Sequence, residues 1–164
     1  MISIRLQRYV DARKGNFMAL KTYHATATQM ENLKINVKSR DFSVIVDEPE
    51  ESGGENQGMN PVEMLLGSIG ACKTITAIIF ADFYGIQLDE ISVDVEGDMD
   101  SDGFSGADPA VRSGFQKIRT TFHIKSSAPA VQLKQLLKMV EKQCPVGDSV
   151  GNGVAMEEPV LDII

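Results

Sequence analysis

Two thiols are the residues in this chain best suited to chemistry: Cys72 and Cys144, remote along the sequence and without a third cysteine. A thiolate is a nucleophile and a reductant, and two thiols that meet can be oxidised together to a disulfide. Neither belongs to a CxxC pair, which excludes a thioredoxin-type dithiol and a zinc knuckle. The two histidines, His24 and His123, form no ligand cluster with them, so no metal site is expected. Inert burial is the alternative for both thiols, because free cysteine is among the most buried residue types. Reactivity requires a cation or a hydrogen-bond donor near the sulfur. Lys73 follows Cys72 directly, but successive helical residues point about 100° apart. An arginine delivered by another segment is therefore the better candidate.

The elements that must position these thiols can be read from periodicity. Asn60-Pro61-Val62-Glu63 opens an apolar run that extends to Tyr84. Pro61 suits the first position of a helix and Gly85 its left-handed end. Nearly every side of this helix is apolar or small, the pattern of an interior element. The second cysteine ends another helix, which Ser126 or Ser127 would cap, with Pro129 in its first turn. There Leu133, Leu136, Leu137 and Val140 form a stripe at i, i+3, i+4, i+7. Cys144 continues in register with that stripe, so both thiols point into the same interior and could meet.

Strand patterns surround the helices. Residues 20–29, 33–37 and 42–46 alternate and are separated by short turns, which suggests an antiparallel meander. Residues 91–96 and 115–125 alternate again, and the tail 153–164 is expected to supply a last strand. The order β-β-β-α-β-β-α-β makes an α+β fold. Residues 47–58, rich in acid, Gly and Pro, read as a solvated, mobile connection, with a flap over the first helix's N-terminus as the alternative. Residues 1–17 read as a basic extension compatible with an extra edge strand, and residues 18–164 as one domain. One sheet covers one face of an all-apolar helix, so loops or a second subunit must cover the rest. A homodimer pairing two such helices is the simpler expectation.

Composition bounds the function. The chain has 164 residues and a net charge of −7, which speaks against a nucleic-acid or anionic-membrane binder. The run 64–81 is almost long enough to span a bilayer. Lys73 in its middle, its glycines and Asp82 at its end favour a core helix instead. No signal peptide is visible in the opening residues. With two cysteines, this points to a reducing, cytoplasmic location.

The motifs Asn60-Pro61-Val62-Glu63-Met64-Leu65-Leu66-Gly67-Ser68-Ile69-Gly70-Ala71-Cys72, Cys144-Pro145-Val146 and Asn152-Gly153-Val154 resemble the OsmC/Ohr family of thiol-dependent peroxidases. Asp47-Glu48-Pro49 with Gly53-Gly54 and Gly58 resembles one branch of it. The resemblance implies strongly bent antiparallel sheets wrapped around central helices in an intertwined homodimer, with active sites at the subunit interface. It implies Cys72 as the peroxidatic and Cys144 as the resolving cysteine, acting on organic hydroperoxides without a bound cofactor. An external dithiol, of lipoyl type or otherwise, would reset the pair. The family also uses an arginine and a glutamate, for which Arg40 and Glu63 are the candidates. In the family's peroxidases the glutamate directly follows Asn-Pro, where this chain has Val62; Glu63 lies one step on, rotated by about 100°. A first-turn acid favourable to the helix is the other reading of Glu63, and an exposed turn residue the other reading of Arg40. A non-enzymatic binding protein, or a redox sensor built on buried thiols, is the alternative function.

Overall fold

The computed structural model describes residues 20–163, so the basic extension of residues 1–17 lies outside the described residues. Two compact units form: one from the residues up to Ser68 with Val95–Thr120, the other from Ile69–Asp94 with the residues from Thr121 onward.

The first unit carries the meander. Strands β1 (Thr26–Glu31), β2 (Lys34–Ser39) and β3 (Phe42–Val46) pair antiparallel in that order. The register sets Thr28 against Asn36 and Val37 against Val44. Each connection contains a left-handed residue, Asn32 (φ 50°) and Arg40 (φ 55°). Asparagine adopts that conformation readily, whereas arginine carries a Cβ that opposes it. The first strand begins later than its alternation suggests, and residues 20–25 are exposed without strand pairing.

The acidic stretch 47–58 departs from the expected mobile connection, because one buried carboxylate organises it. Asp47, 2% exposed, accepts from the backbone N–H of Glu48 (2.9 Å) through Oδ1. Its Oδ2 accepts from Glu55 N (3.1 Å) and Gln57 N (3.2 Å). A single-turn 3-10 helix, Glu50–Ser52, lies inside the loop. Side chains of β2 and its turn tie the loop down: Lys34 Nζ pairs with Glu55 (2.9 Å), and Asn32 Nδ2 donates to the Gly53 carbonyl (3.0 Å). Glycine is obligatory at 54 and 58, where a Cβ would fall 1.9 Å from Glu48 O and 2.3 Å from Ile45 O. Low hydrophobicity predicts disorder only when nothing polar replaces the missing core. Here a multiply hydrogen-bonded carboxylate does so.

Helix α1 (Pro61–Phe83) starts and stops as its sequence requires. Asn60 Oδ1 accepts from Glu63 N (2.9 Å) and Glu63 Oε2 accepts from Asn60 N (2.8 Å), a reciprocal capping box. At the other end Gly85 is left-handed (φ 67°), and Ile86 N reaches back to Ala81 O (2.8 Å), closing a Schellman turn. The following ribbon pairs β4 (Glu90–Asp98) with β5 (Lys117–Lys125); exposed and part-buried residues alternate along the whole of β4 and along β5 from Thr120 onward. A short helix α2 (Ser101–Ser105) interrupts the Gly/Asp loop between them, capped by Asp100, which accepts from Asp102 N (3.0 Å).

In the second unit the core is small and tight. Ala77 and Ala81 on α1 meet Leu136 and Val140 on helix α3 (Ala130–Gln143). Phe80, Ile86, Leu88, Ile91 and Phe122 close around them. Two alanines four residues apart leave room for the α3 stripe to approach. Neither serine caps α3: Pro129 occupies the N-cap position without a side-chain bond. Ser126 instead donates to Gln87 O (2.6 Å). After Cys144 a further helix, α4 (Pro145–Asn152), stands where no element is expected. The last strand expected over residues 153–164 is absent among the described residues, which carry no regular secondary structure there and are exposed.

Two outcomes follow for stability. Truncating the α3 stripe with Leu136→Ala should lower the unfolding free energy by about 3 kcal/mol in urea titrations, through lost burial and a cavity. Burial alone would favour the neutral Asp47 carboxyl, but the N–H groups of Gln57, Glu55 and Glu48 and the Lys34 cation outweigh it, holding the carboxyl below the usual range. Its contribution to stability is therefore complete above the ordinary carboxylate pKa of about 4 and is lost as pH falls through the depressed value. Asp47→Asn should lower the urea midpoint at neutral pH and flatten its decline on acidification.

Candidate active site

Both cysteines lie in the second unit. Cys72 is on α1, part-buried; Cys144 is the residue between α3 and α4, fully buried. The two thiols are neighbours, near enough for Cys72 to act on the Cys144 thiol. Remote positions in the sequence are thus brought together in reduced form.

The local sequence explains the placement of Cys144. Its N–H closes the last turn of α3 on Val140 O (2.9 Å), while its own φ, ψ of −74°, 109° are extended. Pro145 then starts α4 with its ring-fixed φ. Cys144 is consequently C-cap of one helix and N-cap of the next. Its Sγ accepts from Gly147 N (3.3 Å), so a helix N-terminus with its partial positive charge addresses the sulfur.

Lys73 is the site's unexpected member. Its turn of about 100° from Cys72 carries it into the interior, where its side chain is 7% exposed and pairs through Nζ with both oxygens of Glu141 on α3. A β-carbon built on Gly147 would lie 3.4 Å from Cys144 Sγ and 3.8 Å from Lys73 Cε. The position a side chain would fill at 147 is thus flanked by the lysine stem on one side and the thiol on the other. An ammonium on an otherwise apolar helix, and a glutamate one turn before the second cysteine, were the available sequence signals.

These surroundings act on Cys144 in opposite senses. Burial pushes its thiol up and is the largest influence; the Gly147 N–H works against it; the Cys72 thiol pushes it up further; and the Lys73 charge pulls it down. Burial and Cys72 prevail, so the thiol sits above its ordinary range.

The other two candidates sit in the first unit. Glu63 is engaged in the capping box of α1. Arg40 sits at the β2–β3 turn with its guanidinium 4.9 Å from the Phe42 ring centroid. Neither has a described interaction with a thiol.

Three-stranded meander, long apolar helix, two-stranded ribbon and paired helices meeting at a cysteine define an α+β fold shared with known proteins. The family described as OsmC-like protein matches residues 54–158, and the chain belongs to that family. A hydroperoxide reductase from Mycoplasma pneumoniae is 24% identical over 131 residues, 79% of this chain and 87% of that protein. Among solved structures, an OsmC-like protein from Mycoplasma pneumoniae superposes with a TM-score of 0.70 at 23% identity, covering 80% of this chain and 88% of that one. An organic hydroperoxide resistance protein OsmC from Legionella pneumophila gives 0.60 at 21% identity, covering 80% and 90%.

If Cys72 raises the Cys144 thiol, its removal should relax it. In Cys72→Ser the Cys144 thiolate, followed by the 13Cβ shift of the labelled cysteine, is expected to develop at lower pH than in the wild type. Coincident titrations would contradict an influence of Cys72 on the second thiol.

Proposed function

We propose that the protein is a two-cysteine thiol peroxidase that reduces organic hydroperoxides. The observation that carries this reading is the neighbourhood of a part-exposed thiol, Cys72, and a buried one, Cys144, with a backbone N–H on the second. The two positions suit different tasks. Cys72 is open enough to meet an external oxidant, while Cys144 is shielded and adjacent, as a resolving thiol must be. Membership of the OsmC-like family and the name of the Mycoplasma relative support the same chemistry.

In this mechanism the Cys72 thiolate attacks the outer oxygen of the peroxide. The O–O bond breaks, the alcohol leaves with a proton, and Cys72 becomes a sulfenic acid. Cys144 then attacks the Cys72 sulfur; the S–S bond forms, the S–O bond breaks and water departs. An external dithiol reduces the disulfide by exchange. Apolar side chains of α1 favour substrates that bring carbon to bury, hence organic hydroperoxides over hydrogen peroxide.

The working form in this reading is a homodimer. By length and composition α1 is apolar enough to cross a membrane, yet only 33% of its most apolar window is buried. Leu65, Ile75, Ile78 and Phe83 on α1 are exposed. A second copy covering them removes the exposed apolar surface while leaving Lys73 paired with Glu141.

The capping role of Glu63 favours a second reading, in which the fold binds a small molecule and the thiols are spectators. One experiment separates the two. Purified protein should consume cumene hydroperoxide with dithiothreitol or a lipoyl dithiol as reductant. Cys72→Ser should abolish turnover, and Cys144→Ser should still release one equivalent of alcohol before stalling in a dithiol-free reaction. Equal consumption by wild type and Cys72→Ser would dispose of the peroxidase and leave the binding protein.

A further inference from the structure

A lysine buried beside the thiol pair needs a reason, because ordering and desolvating an ammonium group is unfavourable, and a hydrophobic residue of its size would pack there at least as well. Its partner Glu141 is half-exposed (54%), so the pair gains little as a surface ion pair does. What the arrangement achieves is placement. Glu141 holds the Lys73 ammonium on the side of α1 turned to the α3–α4 junction. Gly147, lacking a side chain, leaves the lysine stem and Cys144 Sγ as neighbours across a single β-carbon position, 3.8 Å and 3.4 Å away.

We propose that Lys73 is a positioning residue for the disulfide-forming step: held by Glu141, it sets a positive charge against Cys144 as that thiol becomes the attacking thiolate. The proposal rests on the peroxidase reading for its oxidant, an organic hydroperoxide, but concerns the second thiol rather than the first. Cys144 gives up its proton, its sulfur bonds to the sulfur of the Cys72 sulfenic acid, and the leaving hydroxide takes a proton to become water. Burial opposes formation of that thiolate. The opposing influences are two, the Gly147 N–H and the Lys73 charge. The charged and titratable groups around Cys144 are Cys72 and Lys73 from α1, Glu141 and the exposed Lys142 from α3, and the exposed Asp148 in the first turn of α4. Of the two lysines, only Lys73 is buried.

The test is a single-turnover reaction of the reduced protein with one equivalent of tert-butyl hydroperoxide, followed across pH. Alcohol release reports sulfenic acid at Cys72, which does not involve Cys144 and serves as the internal reference. Loss of the second thiol reports disulfide closure. Lys73→Met should slow closure about tenfold at neutral pH, through a smaller thiolate fraction, and displace its pH profile upward. Lys73→Arg, which keeps the charge and can still pair with Glu141, should retain the wild-type profile. A merely structural lysine would not separate these variants in their pH dependence. If Lys73→Met fails to fold, Lys73→Gln reads the same loss. A wild-type profile in the uncharged variant overturns the proposal, as does an arginine variant that matches the uncharged one. Absence of alcohol release from the wild type defeats the peroxidase reading alone. Closure is then read with diamide, whose adduct on Cys72 is displaced by Cys144 with release of the hydrazine, and the same ordering of variants is required.

Discussion

Burying a thiol and an ammonium group beside a second, part-exposed thiol is the constraint around which the second unit is built. An apolar helix can hold Cys72 at no cost, but Lys73 beside it must find a counter-charge or leave the interior. Glu141 provides it from α3, and the same helix delivers Cys144 one turn further on. The small residues of this region serve that convergence. Ala77 and Ala81 let α3 approach α1, and Gly147 leaves only a single β-carbon position between the lysine stem and the sulfur. Because the glutamate is half-exposed and the lysine is not, the pair is asymmetric: solvent screens the negative end far more than the positive one.

The first unit solves a comparable problem with the opposite sign. Asp47 is a buried carboxylate, and three backbone N–H groups rather than a side-chain cation satisfy most of it. That arrangement fixes a loop with almost no apolar content, and glycines at 54 and 58 permit the close backbone contacts it demands. The loop then runs into Asn60, whose side chain and that of Glu63 cap α1. Polar chemistry thus sets the start of the helix that carries the first thiol, and polar chemistry near its middle determines what that thiol meets.

What could be read from the sequence was local. The Asn-Pro-x-Glu opening and Gly85 close of α1, the meander of β1 to β3, and the Leu136/Val140 stripe each rest on periodicity or capping within a few residues. They are where the structure has them, apart from the later start of β1 at Thr26. That Cys72 and Cys144 turn toward one interior was legible because both lay on apolar faces. The partner of Lys73 was not, since Glu141 lies on another helix and looks like any exposed acid in a charged stretch. Residues 47–58 misled because composition averages over a segment, whereas a single aspartate decides its order. Cys144-Pro145 was read only as an end, although proline after a residue able to cap also begins a helix. The tail alternates like a strand, but alternation states only a capacity to pair; among the described residues it has no strand partner.

The account stands on one physical claim, that the sulfurs of Cys72 and Cys144 within a single chain are close enough to join. Peptide mapping without reduction, after one equivalent of an organic hydroperoxide, measures this directly. The expected result is a single Cys72–Cys144 linked peptide pair, shown to be intrachain by mixing isotopically light and heavy protein. Over-oxidised Cys72 beside a free Cys144, or a disulfide that joins light to heavy chains, would contradict it.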